Sequence, residues 1–332
     1  MSPGRACPLH YRYSPSLFRE VPTEQAATVY AVGGLYGNPQ ALAAVLDLKR
    51  EDERYGPPVT LVFNGDFNWF DVDAESFRNV NETVLAHRAT LGNVEAELQG
   101  NNDVGCGCAY PDYVDDVTVE RSNRIMDRLR LTAARFPDLL ARLATLPKVR
   151  TFEVGGEHVG ILHGYPESLA GWHFASDALM PGTGALVAGP RTSETDVARW
   201  FSDADVRAFL SSHTCLPVMR DFSVNGRCCV VANNGAAGMP NFRGGRFGLL
   251  TRVSTVRAPP AVALYGVRVG ALHVEALPVH YNHKLWVGQF LANWPKGSPA
   301  HASYHHRICS GTQIVPQQAV FLGNHSTTPL RT

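Results

Sequence analysis

No apolar run in the 332-residue chain approaches the roughly 20 residues needed to span a bilayer. The opening segment, Met1 to Pro8, lacks the apolar core of a signal peptide, so a cytoplasmic location is expected. Charge of one sign is also missing. Thirty Lys and Arg balance thirty Asp and Glu, which leaves no global field to draw nucleic acid or an anionic membrane. There is no internal repeat and no low-complexity tract. The seven cysteines (Cys7, Cys106, Cys108, Cys215, Cys228, Cys229, Cys309) are an odd set without the spacing of a disulfide framework. Core thiols or metal ligands are expected of them rather than bridges. What is there is a globular composition, 45% hydrophobic and 18% charged, which can bury a sizeable core.

The chain reads as alternating strands and helices. Residues 1–26 form a Pro-rich, irregular arm. Ala27 to Gly33 is a buried strand that breaks at Gly33-Gly34. Asn38 and Pro39 then open a helix over Ala41 to Leu48. Val59 to Asp66 is the next strand, so a βαβ crossover is expected. The two glycines near that helix start fit neither the dinucleotide nor the P-loop spacing. Further on, helices are expected over 74–90, over 117–146 with a break near Pro137, and over Asp203–Leu210. A hairpin joins 149–154 to 158–163 through Gly155-Gly156, and short strands follow at 216–222, 227–233, 246–255, 261–268 and 271–279. The domain proper spans 27–282, with a helical insertion at about 100–147. Residues 283–332, which carry Trp286, Trp294 and a His301/His305/His306 patch, form an extension. It packs on the domain or on a second copy of the chain.

Asp66 is presented where an apolar strand stops at Asn64-Gly65, and in open α/β sheets that edge binds ligands. Alone, such an Asp is best read as a turn cap. Other strand ends supply partners in order: Gly33 to Asn38, Gly65-Asp66, Gly92-Asn93-Val94-Glu95, His163-Gly164, Ser212-His213-Thr214-Cys215, and Asn233 to Pro240. On these six motifs the chain resembles the calcineurin-like metallophosphoesterases over roughly residues 27–255. The resemblance implies an α/β fold of two mixed β-sheets packed as a sandwich with flanking helices, a four-layer α/β/β/α arrangement.

It also implies a metal-dependent phosphoesterase in which metal-activated water attacks a small phosphate ester or related anion. Asp66 matches the carboxylate that bridges two metals, and Asn93, His163 and His213 match the other ligands of the second metal. His213 and Asn93 are also the candidate catalytic residues. The first metal position departs from the family pattern. Gly34 stands in place of its Asp, Tyr36 in place of its first His, and Cys215 in place of its last. Val94 replaces a His associated with the leaving group, and Ser212 replaces a Gly.

Three readings stay open: one working metal position; a second position rebuilt with sulfur from Cys215, Cys106 and Cys108, with Tyr36 beside them; or loss of catalysis with retention of metal or nucleotide binding. The donor types suit one or two ions of Zn, Fe or Mn. Cys215 reads equally as core filler, and Tyr36 as an aromatic lid. Amide donors of the Asn233–Gly238 loop are expected to steady developing charge, and the 100–116 loop with its helices to form a cap. Neither a nucleic acid nor a membrane is implied as partner. A homo-oligomer through the C-terminal extension is compatible with the sequence.

Overall fold

A computed structural model describes residues 2–99, 104–181, 191–259, 262–323 and 327–328. Parts of two expected loops, 100–103 and 182–190, and the first residue of the strand expected at 261–268 lie outside the described residues. The strands in chain order are β1 (Thr23–Gln25), β2 (Thr28–Val32), β3 (Val59–Asn64), β4 (Arg88–Thr90), β5 (Val149–Val154), β6 (Glu157–Leu162), β7 (Ala208–Ser211), β8 (Pro217–Val224), β9 (Arg227–Asn234), β10 (Gly248–Ser254), β11 (Tyr265–Val269), β12 (Leu272–Val279), β13 (Val320–Phe321) and β14 (Thr327–Thr328). The helices are α1 (Leu17–Glu20), α2 (Pro39–Tyr55), α3 (Ala74–Leu85), α4 (Asn93–Glu97), α5 (Asp116–Ala133), α6 (Pro137–Ala144), α7 (Glu194–Ala204), α8 (His283–Asn293) and α9 (Pro299–Ser310). No described helix is long and apolar enough to cross a membrane.

The strands form two mixed sheets, ordered β1-β5-β6-β7-β9-β8-β13 and β14-β11-β12-β10-β2-β3-β4. Side chains alternate between faces, as the pleat requires. Val29 and Ala31 of β2 enter the core between the sheets, together with Val62, Ile161, Leu210, Val230 and Ala232. Tyr30 and Val32 face the other way, into a core shared with α2, α3, α5, α6, α8 and α9. On the outer face of the first sheet, Trp200 and Phe201 of α7 pack against Phe209 and Val231. The expected α/β/β/α layering is observed. Adjacent Cys228 and Cys229 fall on opposite faces of β9, one toward each core.

The helix expected over Asp203–Leu210 is not formed. The helix ends at Ala204, where Asp205 takes a left-handed conformation (φ 51°), and Ala208–Ser211 is a strand. That strand lies between β6 and β9, parallel to both and buried along its length. A short, fully buried apolar run carries no period that separates strand from helix. The N-terminal arm is less irregular than expected, because β1 adds to the edge of β5. In the C-terminal extension, Trp286 and Trp294 are buried within this same chain, and the Trp294 indole donates to the Phe70 carbonyl at 3.0 Å.

The two sheets are tied together by buried amides. Asn64 Nδ2, at the end of β3, donates to the carbonyls of Leu162 (2.7 Å) and Leu210 (3.3 Å) in the other sheet. Its Oδ1 accepts from Thr90 at 2.9 Å. Asn234 Nδ2, at the end of β9, reaches back to the carbonyls of Gly33 (3.0 Å) and Leu249 (2.8 Å). Buried polar groups left without partners cost about 1–3 kcal/mol each. Asn64→Ala is therefore expected to lower unfolding free energy by about 2–5 kcal/mol in urea titration, since two carbonyls and a hydroxyl lose their partner. A loss under about 0.5 kcal/mol, the scale of an ordinary surface substitution, would show that the sheets are not held at this point.

Candidate metal centre

Four strands, β3, β4, β6 and β7, end at the same rim and deliver motifs there. Asp66 follows β3, Asn93 opens α4 just beyond β4, His163 follows β6, and His213 follows β7. All four side chains are almost fully buried, the most exposed at 5%. Asp66 sits in a strained turn, with φ 69° at Gly65 and φ 53° at Asp66 itself. Position 65 has no room for a side chain, because a Cβ there would lie 2.6 Å from Gly92 Cα and from His163 Nδ1. The turn is held by Glu95. One of its oxygens accepts from the Asp66 amide (2.8 Å), and the other accepts from the Phe67 amide (3.1 Å) and from Asn68 Nδ2 (3.2 Å).

The side chains converge on one point. His163 Nε2 lies 3.3 Å from Asp66 Oδ1, 3.1 Å from Asn93 Oδ1 and 3.2 Å from His213 Nδ1. The outward-facing atoms fix which inward atom carries a lone pair. His163 Nδ1 faces the Asn64 carbonyl at 3.0 Å, and His213 Nε2 faces the Cys108 carbonyl at 3.1 Å. A carbonyl can only accept, so those nitrogens carry the protons and Nε2 and Nδ1 are left as acceptors. Asn93 Nδ2 donates to the Cys106 carbonyl at 2.9 Å, which turns its oxygen inward. Four acceptor atoms thus face one another with no donor between them. Two donor atoms about 2.0–2.1 Å from one ion stand about 3.3 Å apart in a tetrahedral set, so the spacing fits a single transition-metal ion. Among the described residues, Asp66, His163 and His213 are the only group of three or more His, Cys, Asp or Glu close enough to share an ion.

The buried groups also perturb one another electrostatically. Burial alone would raise Asp66, but His163 and His213 outweigh it and hold the carboxyl below its usual range. Burial alone would lower His163, but Asp66 outweighs it and the imidazole is raised. The two shifts are one interaction, in which each group favours the charged form of the other. Burial, and then His163, bring His213 down to about 3, so it is a neutral imidazole at ordinary pH. Burial, and then Asp66, push Glu95 up to about 7.

The other candidate ligands are arranged differently from the expectation. Cys106 and Cys108 are joined to each other in a disulfide across Gly107, so they are neither free thiols nor sulfur ligands. Gly107 takes φ 65°, which lets so short a loop close on itself. The loop contributes backbone carbonyls, which orient Asn93 and His213. Cys215 and Tyr36 meet one another, Sγ to Oη at 2.6 Å, outside the cluster. No second, sulfur-containing cluster forms among the described residues.

A Cβ at position 34 would meet the Tyr36 ring at 2.9 Å, so that ring occupies the space into which an aspartate at 34 would project. The Asn233–Gly238 loop does not offer free amides either. The N–H groups of Gly235 and Ala236 are taken by the Asn233 and Asn241 side chains, and those of Ala237 and Gly238 by the carbonyls of Gly33 and Gly34. His301 and His305 stack on α9 with centroids 4.5 Å apart, away from the cluster.

A cavity of about 190 Å³ opens on the cluster, walled by Tyr36, Trp69, Val94, Tyr110, Trp172, Tyr304 and Arg307. A larger one, about 930 Å³, shares Trp172 with it but contains none of the four converging residues. Asp66, Asn93 and His213 line the smaller one.

The chain is similar over 86% of its length to the crystal structure of a hypothetical protein from Pyrococcus horikoshii OT3, covering 99% of that chain at 13% identity with a TM-score of 0.51. It also matches a metallophosphoesterase from Sphaerobacter thermophilus, at 16% identity over 86% of this chain and 100% of that one, with a TM-score of 0.48. The likeness to the Pyrococcus horikoshii protein is to its fold, two mixed sheets packed together with helices outside. No protein-family model matches it, and no curated protein does. The likeness is one of fold.

Sequence reading missed the part played by Glu95, although Glu95 was visible as the last residue of Gly92-Asn-Val-Glu. It also missed Arg307, which lies in the extension and carries no motif. Glu95→Gln would turn one of the two acceptor oxygens into a donor aimed at a backbone or side-chain N–H. We expect metal affinity to fall about 10- to 100-fold in a chelator competition titration. Unchanged affinity would show that Glu95 does not position Asp66.

Proposed function

We propose that the protein is a metal-dependent hydrolase of the phosphoesterase type, acting on a small phosphate ester with one metal ion held by Asp66, Asn93, His163 and His213. The observation that supports this most directly is the convergence of four lone-pair atoms, three of them fixed from behind, at the ends of parallel strands. When bound, an ion of the Zn, Fe or Mn type supplies Lewis-acid polarisation of a phosphoryl oxygen and a lowered pKa for water.

The chain's own residues set the conditions for that chemistry. Among the described residues Asp66 is the only carboxylate lining the cavity, and His213 enters neutral. The Asn64, Cys106 and Cys108 carbonyls hold the ligands in one orientation, so little reorganisation is needed when an ion binds. Trp69, Tyr110, Trp172 and Tyr304 wall the cavity with aromatic surface, which excludes water and suits a substrate with an organic face. Burial, and then Cys215, push Tyr36 well above the usual tyrosine range, so the proton stays on its Oη.

Val94 occupies the place where a histidine would assist the leaving group. Among the described residues, no other imidazole or carboxylic acid lines the cavity to donate a proton. The site therefore suits esters whose leaving group departs without protonation, such as aryl phosphates.

A second reading is supported by Gly34 and Tyr36, which leave no carboxylate for another ion. In it the same site binds a metal and an anion without turnover.

Hydrolysis of an aryl phosphate by the metal-loaded protein decides between them. We expect turnover, an aryl phosphate preferred over an alkyl one, and at least about a 100-fold loss together with loss of bound metal in Asp66→Asn. Stoichiometric metal with no turnover would favour the binding protein. Asp66→Asn with unaltered metal content and activity would overturn both.

A further inference from the structure

We propose that Arg307 forms the second half of an anion-binding site, placing a guanidinium against the phosphoryl group beside the ion held by Asp66, Asn93, His163 and His213. This rests on the metal-centre reading above and adds a residue from the C-terminal extension to it.

Arg307 is on α9 and lines the same small cavity as Asp66, Asn93 and His213. Its guanidinium is anchored from behind. Nε donates to the Pro240 carbonyl at 3.1 Å, and Nη2 donates to the Cys215 carbonyl at 2.7 Å and to Asn241 Oδ1 at 3.2 Å. Nη1 makes no hydrogen bond to a described residue. Every partner is neutral, and no carboxylate among the described residues forms an ion pair with it. The other well-buried arginines behave differently. Arg252 pairs with Asp52 and Glu275, Arg207 with Glu157, and Arg220 with Glu194. A partly buried guanidinium held by neutral acceptors, on a residue that lines the cavity, is a charge without a counterion, and burial makes that costly.

Its neighbours explain why the charge is on this side. Tyr36 and Cys215 occupy the positions expected to hold the other metal, and the Tyr36 ring fills the space in front of Gly34. Arg307 Nη2 donates to the Cys215 carbonyl, and Cys215 Sγ meets Tyr36 Oη, so the guanidinium stands beside the pair. Positive charge that a second ion would bring is supplied instead by a side chain from outside the sandwich. An Arg presents fixed N–H donors to the oxygens of a tetrahedral anion and needs no ligands of its own. The class of ligand is an oxyanion with a tetrahedral head, phosphate above all, reached by the ion on one side and by Nη1 on the other.

The test uses the full chain and inorganic phosphate as the probe, read by calorimetric titration, with bound metal measured on the same samples. Arg307→Ala is expected to weaken phosphate binding roughly 10- to 100-fold while bound metal stays at the wild-type level. Arg307→Lys, which keeps the charge, is expected to lose less than Arg307→Ala, and added guanidinium ion is expected to restore binding to Arg307→Ala. Should Arg307→Ala fail to fold, Arg307→Lys and Arg307→Gln carry the comparison, with Gln the weaker binder. Phosphate affinity equal in wild type, Arg307→Lys and Arg307→Gln, with metal retained, would overturn the proposal. If wild type holds no metal, the metal-centre reading fails by itself. Phosphate titration of the metal-free chain then still reads Arg307, with the same ordering expected and equal affinities again overturning it.

Discussion

The amide and carbonyl of Asn64 sit where the two sheets come together, and the candidate site depends on how they are used. The side-chain amide ties β3 to the ends of β6 and β7, and the backbone carbonyl accepts from His163 Nδ1 and from Ser212 Oγ at 2.8 Å. One residue thus sets the spacing between the sheets and turns a histidine so that its lone pair faces inward. Gly65 and Asp66 follow it directly, in a turn that has no space for a side chain at 65. If the sheets were placed differently, Asp66 and His163 would not face one another at 3.3 Å, because they come from different sheets.

The same economy appears in the loops. The disulfide-joined Cys106–Cys108 segment brings two carbonyls to Asn93 and His213, and Cys108 Sγ also lies 3.7 Å from Asn93 Nδ2. The Asn233–Gly238 segment spends its amides on closing the sandwich against Gly33 and Gly34. Tyr36, Asp66 and Cys215 all take left-handed backbone conformations, with φ of 57°, 53° and 60°. For residues with side chains this is strain, tolerated where the surrounding structure fixes it. The rim is rigid on one side of the cavity and aromatic on the other. Arg307 brings positive charge to the side where Gly34 and Tyr36 have removed metal ligands.

Much of this was legible in the sequence, for identifiable reasons. Strand ends at 32, 64, 162 and 211 are marked by Gly, Asn, His or Ser following apolar residues, and their order along the chain carries the fold. Asn38 and Pro39 announce α2 because the Asn side chain accepts from two amides of its first turn. Other features depend on contacts between segments far apart in the chain. Ala208–Ser211 was misread because a fully buried strand has no alternation. Whether Cys106 and Cys108 turn sulfur or carbonyl toward the cluster is decided by the turn at Gly107, which residue type alone does not fix. Arg307 reaches the Cys215 carbonyl across 92 residues of sequence, and nothing in its helix indicates that destination.

The account stands on one ion bound by nitrogen and oxygen alone. X-ray absorption spectroscopy at the edge of the bound metal, with its stoichiometry measured on the same sample, tests this most directly. One equivalent with nitrogen and oxygen neighbours and no sulfur is the expected result. A second equivalent, or sulfur in the coordination shell, would contradict it.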